Sequence, residues 1–316
     1  MDSTESHLSD LAHRSLLEMQ EEEEPKFRMF KSCRLHDLIR ELCTHKGKEE
    51  EFFEIADPGN GNKPSPSRTP RLAIHLNKYD EGGSNHVDKA NVRSLLVFDT
   101  RDSQPKSSWP QELSDLKDFA LEKGMEKLAC LRYLSFLGCY LNKLPKVISS
   151  FWYLVILDLR VTRRTIVPIS LKRTQCRYLE RLPNLRSLVL NNDAYEGKEM
   201  KCSASDFPEL RSLKLLNLHY LETWKIDEGS MQNLSTLVIE KCSKLKMLPP
   251  GLKFAKNLKE VKVVSMNKEF VSSINEQLYG EEKDSACGSR RMHIIVLEGV
   301  NSCRRYTNHP TSVRNT

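Results

Sequence analysis

Six segments of the chain share one spacing of apolar residues, and few folds can accommodate it. Leu131, Leu134 and Phe136 stand at offsets 0, 3 and 5 of such a unit. The same offsets hold for Leu154, Leu157 and Leu159, for Leu185, Leu188 and Leu190, and for Leu210, Leu213 and Leu215. They recur at Leu234, Leu237 and Ile239 and at Leu258, Val261 and Val263. Successive units start 23, 31, 25, 24 and 24 residues apart. Within each, a short strand points two apolar side chains to one side and the intervening residues to the other. One unit alone cannot bury its apolar face, whereas stacked turns supply a continuous core and a curved parallel sheet.

Apart from one longer insertion, this is the period of leucine-rich repeats. Offset 8 of such a unit carries Asn or Cys, whose side chain satisfies buried turn backbone. Cys139 and Cys242 hold that place and are expected to be structural. A second signature joins two of the units. Leu141, Leu144 and Pro145 match Leu245, Leu248 and Pro249 in an LxxLP pattern followed by an apolar return segment.

The regions around the repeats read differently. In the first 55 residues, Leu8, Leu11, Ala12, Leu16 and Leu17 can share one face of a helix. The acidic run Glu21–Glu24 reads as a solvated helix end, and Lys26 to Cys33 as a short extended segment or hairpin arm. Leu35, Leu38, Ile39, Leu42 and Cys43 have the spacing of a second amphipathic helix. Residues 57–70, DPGNGNKPSPSRTP, form a loop or linker. Strands are expected at 71–76 and 91–98, where Val92, Leu95 and Val97 preview the repeat. The organisation is then 1–55, a linker and leading strand at 56–90, repeats at 91–275, and a cap or flexible tail at 276–316. Within that last part, MHIIVLEGV offers one final strand.

Several chemistries lack their residues. GxxxxGK[ST], GxSxG and HExxH are missing, and the nine cysteines show no metal-site spacing. Neither a secretory signal nor a run of 18 apolar residues is present, so a reduced, cytoplasmic protein without an integral membrane span is expected. Forty-nine basic against 43 acidic residues give a formal charge of +6, a small excess of mixed sign. Arg34, Arg40, Lys46 and Lys48 are too dispersed for a recognition helix, so no nucleic-acid partner is expected. His36 beside Asp37 reads as a residue pair at a helix start, where the carboxylate suits the positive helix end. No enzyme activity and no metal are expected.

CRLHDLIRELC, residues 33–43, resembles the segment around the Met-His-Asp motif of plant intracellular nucleotide-binding leucine-rich-repeat disease-resistance proteins, closest to their coiled-coil class. DLAHRSLLEMQ, residues 10–20, is similar to the helix leading into that motif in their winged-helix subdomain. RLAIHLNKYD, NVRSLLVFD, CLRYLSFLGCYLNKLPKVI and LSTLVIEKCSKLKMLPPGL resemble the passage into the repeats and the repeats themselves. The resemblance covers roughly residues 8 to 270. It implies an α/β fold: a leucine-rich-repeat solenoid preceded by a partial winged-helix-like segment carrying a Met-His-Asp-like motif, with Leu35 in place of the methionine. In the family the histidine, here His36, approaches the phosphate of bound ADP. The phosphate-binding loop and most of the nucleotide-binding module are not in this sequence. A receptor's C-terminal part, from a fragment gene or a truncated gene model, is therefore expected, with no cofactor; ADP belongs to full-length members.

The outward strand positions are the expected protein-contact face. They are Tyr133, Ser135 and Leu137; Ile156, Asp158 and Arg160; Ser187, Val189 and Asn191; Ser212, Lys214 and Leu216; Thr236, Val238 and Glu240; and Glu260, Lys262 and Val264. Their mixture of polar, charged and apolar groups suits a protein better than a phosphate backbone. The resemblance implies three kinds of partner: a receptor nucleotide-binding core, a pathogen effector or a guarded host protein. The alternative is a free-standing repeat scaffold without immune signalling.

Overall fold

A computed structural model describes residues 3–20, 32–56, 69–75, 91–98, 125, 128–136, 144–160, 179–192, 194–195, 197–279, 293–297 and 303–307. Glu21–Glu24, most of the extended arm, residues 57–68 of the linker, Leu137, Cys139 and Leu141 lie outside them. The first elements are α1 (Ser3–His13), β1 (Leu17–Gln20), β2 (Ser32–Leu35) and α2 (Asp37–Glu49). Strands β1 and β2 pair antiparallel, with Leu17 opposite Leu35.

Both helices stop at the same device. Ser15, at φ 55, turns the chain out of α1, with bonds from the Ser15 amide to the Ala12 carbonyl and from the Leu16 amide to that of Leu11. Glu51, at φ 49, does the same for α2, through Glu51 to Lys48 and Phe52 to Gly47. These crossed bonds satisfy the last helical carbonyls. The expected single face is thereby corrected: Leu16 and Leu17 fall in the turn and in β1, and Leu35 ends β2 before α2 begins. Leu38 and Leu42 are 81% and 55% exposed, so α2 buries little of its apolar spacing. Its buried residue is Gly47, whose missing side chain leaves room for the Phe53 ring.

From β3 (Glu54–Ala56) onward the chain builds one large sheet. It takes in β4 (Arg71–His75), β5 (Ser94–Phe98), β6 (Tyr133–Ser135), β7 (Ile156–Leu159) and β8 (Ser187–Asn191). It continues through β10 (Ser212–Leu216), β12 (Thr236–Glu240), β13 (Glu260–Val264) and β14 (His293–Leu297). All of these neighbours pair parallel, and β15 (Cys303–Thr307) closes the row antiparallel to β14. The sheet thus runs beyond residues 91–275 on both sides. Two further strands, β9 (Glu199–Cys202) and β11 (Thr223–Ile226), form a small parallel sheet. Helix α3 (Lys268–Tyr279) follows β13; the Asn267 side chain accepts the Phe270 amide at 2.7 Å and so caps it.

The repeat spacing predicts the core. Leu131, Leu134, Leu154, Leu157, Leu185, Leu210, Leu234 and Leu237 have no exposed surface. Each such side chain contributes about 1.5–3 kcal/mol by leaving water. Met200, Cys202, Trp224 and Ile226 enter the same core from the small sheet, so apolar residues arrive from two layers. A molecule built this way is a solenoid-like α/β repeat.

Three sets of bonds tie turn to turn. The carbonyl at offset 1 accepts two amides of the next unit: Arg132 from Val155 and Ile156, Arg186 from Arg211 and Ser212, Ser235 from Lys259 and Glu260. At offset 7 the backbone swings left-handed, at Asn192, Asn217, Lys241 and Ser265, with φ between 49 and 52. Each of those amides donates onward, to Leu216, Glu240, Val264 and Leu297 respectively. Just before the first leucine of three units, Asn184, Asn233 and Asn257 donate side-chain amides to the carbonyls of Trp152, Pro208 and Gln232. Cys242 is fully buried, its Sγ 3.5 Å from the Glu240 carbonyl and 3.6 Å from that of Leu215. The carbonyls that the sulfur meets belong to the ends of β10 and β12 rather than to the turn that the offset leads one to expect.

Candidate protein-contact face

Parallel pairing without slippage sorts the outward positions into rows. The first aligns Tyr133, Ile156, Ser187, Ser212, Thr236 and Glu260. The second aligns Ser135, Asp158, Val189, Lys214, Val238 and Lys262. The third aligns Asn191, Leu216, Glu240 and Val264. Arg160 follows directly after β7.

Most of these side chains are half-buried, which suits an accessible surface held in place by its neighbours. Four are not accessible. Ser135 and Asp158 are each only 4% exposed, and Val189 and Val264 are buried outside the main apolar cluster. The expectation that Ser135 and Asp158 offer themselves for contact is corrected accordingly. Register decides which way a strand residue points, and the surroundings decide whether anything can reach it.

Asp158 is held by its neighbour. The Arg160 guanidinium holds it two-pronged, Nε at 2.9 Å from both carboxylate oxygens and Nη2 at 2.6 Å from Oδ2. That hydrogen bonding raises the Arg160 pKa against the opposing pull of burial. Elsewhere on the face, Lys262 lies 3.2 Å from Glu260, and Glu240 lies 3.6 Å from Lys241. The face is a patchwork of locally balanced charge among Ser, Thr, Asn and apolar groups.

His36 stands apart from these rows. It precedes the first turn of α2, and its Nδ1 lies 3.1 Å from Glu18 of β1. Arg34 approaches the same glutamate at 3.5 Å, and Asp37 pairs with Arg40 at 3.0 Å. A nucleotide phosphate brought to this half-exposed imidazole would meet a carboxylate as well. No group of three or more His, Cys, Asp or Glu is placed to hold a metal among the described residues. Burial pushes the Cys202 thiol up to about 12, which leaves it protonated and unreactive at neutral pH. Among the described residues no helix is long and apolar enough to cross a membrane.

No family model matches the chain. Relatives do. Disease resistance RPP8-like protein 3 of Arabidopsis thaliana is 24% identical over 89% of this chain and 47% of its own length. Probable disease resistance protein At1g59620 of the same plant is 36% identical over 64% of this chain and 25% of its own length. Probable disease resistance RPP8-like protein 2 reaches 43% identity over a shorter stretch, 30% of this chain and 11% of that protein. The chain spans about half the length of the relatives that match most of it. These relatives link the chain by homology to the disease-resistance proteins of plants.

Proposed function

We propose that the chain is a leucine-rich-repeat module of plant defence that docks on proteins through the outward positions of the large-sheet strands from β6 to β13. The observation that carries this reading is the set of three aligned rows of half-buried polar and apolar side chains. Such a surface suits recognition of another folded protein. The partner is a nucleotide-binding core of a related receptor, a pathogen effector or a guarded host protein, met in the cytoplasm. In this reading the large sheet curves as a repeat solenoid, and residues 1–55 belong to a winged-helix unit. Residues 56–90 lead into the repeats, 91–275 supply them, and 276–316 cap them.

The test is a pull-down of a separately expressed coiled-coil plus nucleotide-binding fragment from a related receptor. Lys214→Glu with Lys262→Glu reverses two charges of the middle row and is expected to weaken specific capture. A folded chain that captures nothing, or a double variant that captures equally well, overturns docking on that core through this face. The first outcome favours a free-standing scaffold.

A further inference from the structure

Five cations occupy one register position along the large sheet. Arg93, Arg132, Arg186, Arg211 and Lys259 each immediately precede a strand: β5, β6, β8, β10 and β13. All five side chains are exposed, and none takes part in an ion pair or a side-chain hydrogen bond among the described residues. Their main chains are fixed, because the carbonyls at this position form the shared rail that joins one unit to the next. The lysines of the small sheet are different. Lys198, Lys201 and Lys225 pair with Glu222, Asp227 and Glu199 at 3.4, 3.2 and 2.7 Å.

The rim is therefore a line of unneutralised positive charge. Six strand steps separate its ends, which at ~4.8 Å per step gives roughly 29 Å. An extended chain of about nine residues covers that length. A compact anion would touch one or two of the cations; an extended polyanion would meet all five.

The line is interrupted twice, by Ser235 before β12 and by Val155 before β7, and aromatic residues stand beside the second of these. Strand β7 carries Val155 at the rim position, and the turn before it presents Trp152 at 67% and Tyr153 at 58% exposure. Asn184 holds that turn by donating to the Trp152 carbonyl at 2.7 Å. A single-stranded nucleic acid is bound by stacking successive bases on successive aromatics. One aromatic pair flanked by arginines instead has the composition of a protein hot spot.

We propose that this rim binds an extended acidic protein segment, with an apolar side chain of that segment against Trp152 and Tyr153. The rim borders the first outward row but takes no residue from the three rows, so this assignment does not rest on the docking reading above. Its experiment leaves Lys214 and Lys262 intact.

The probe is a fluorescein-labelled peptide of four glutamates, two leucines and four more glutamates, titrated with the full chain and followed by anisotropy. An oligothymidylate of the same length is titrated beside it. Binding of the peptide is expected to weaken about tenfold in Arg186→Glu with Arg211→Glu and about threefold in Trp152→Ala. The milder Arg186→Gln with Arg211→Gln, checked for folding by thermal melting, is expected to show a smaller loss in the same direction. Lys198→Glu with Lys201→Glu makes the same change in net charge on the small sheet and is expected to leave binding within about twofold. Absence of peptide binding overturns the proposal, as does an equal loss in the small-sheet control. Tighter binding of the oligothymidylate also overturns it and assigns the rim to nucleic acid.

Discussion

The repeats and the segment that precedes them use the same apolar residues to opposite effect. In the repeats, Leu213 and Leu237 are 3% and 0% exposed, packed under strands whose backbone bonds continue from turn to turn. In α2, Leu38 and Leu42 stand 81% and 55% in solvent although their spacing is equally regular. The difference lies in what is stacked above and below. A repeat finds its complement in the next repeat, whereas an amphipathic helix needs a partner from elsewhere.

The largest expected effect tests this contrast directly. Leu213→Ala is expected to cost about 2–5 kcal/mol in urea unfolding, because the cavity lies between fixed layers. Leu38→Ala is expected to cost under about 0.5 kcal/mol. Equal losses would break the comparison. Next comes the buried charge on the repeat face. Arg160→Met leaves the Asp158 carboxylate, 6% exposed, without its counter-charge and is expected to cost about 2–3 kcal/mol. Arg40→Met, across from the exposed Asp37, is expected to change melting little.

Gly251→Ala sharpens the picture of close packing. A Cβ there would lie 1.9 Å from the Ile226 carbonyl oxygen, so the 3-10 turn Pro250–Phe254 would have to back away from β11. A loss of about 1–3 kcal/mol is expected on thermal melting. Asn233→Ala removes the 2.9 Å bond to the Pro208 carbonyl and is expected to cost about 1 kcal/mol. The smallest effect has the opposite sign. Lys241→Asn places at φ 51 the residue type already used at Asn192 and Asn217, with an expected gain of about 0.5 kcal/mol.

Reading the chain by period alone recovers the inward residues and every strand from β5 to β13 of the large sheet, because alternation and burial coincide there. Other features follow different rules. The ends of α1 and α2 escape notice because Ser15 and Glu51 occupy left-handed positions where glycine is the usual signal. The small sheet escapes because EMKC and TWKI fall outside the repeat offsets. The asparagines before Leu185, Leu234 and Leu258 are plain in the sequence, yet their role appears only once the preceding carbonyl is in place. On the contact face, alternation correctly aligns Ser135 and Asp158 with the outward rows and says nothing of their being covered. Unpaired rim cations are equally silent until register lines them up.

The shared carbonyl rail carries a consequence for how such a chain changes over generations. Each rail bond leaves one unit and enters the next at the same position, so the joint between any two units is interchangeable. Duplication or loss of a whole unit would leave every polar group at the seam with a substitute partner. A single-residue slip inside a strand would orphan a run of them. The gap of 31 residues between Leu154 and Leu185 fits that rule: the extra length falls between β7 and β8, while the two strands stay paired in step. Inheritance in this architecture favours copying by the paragraph and penalises errors by the letter.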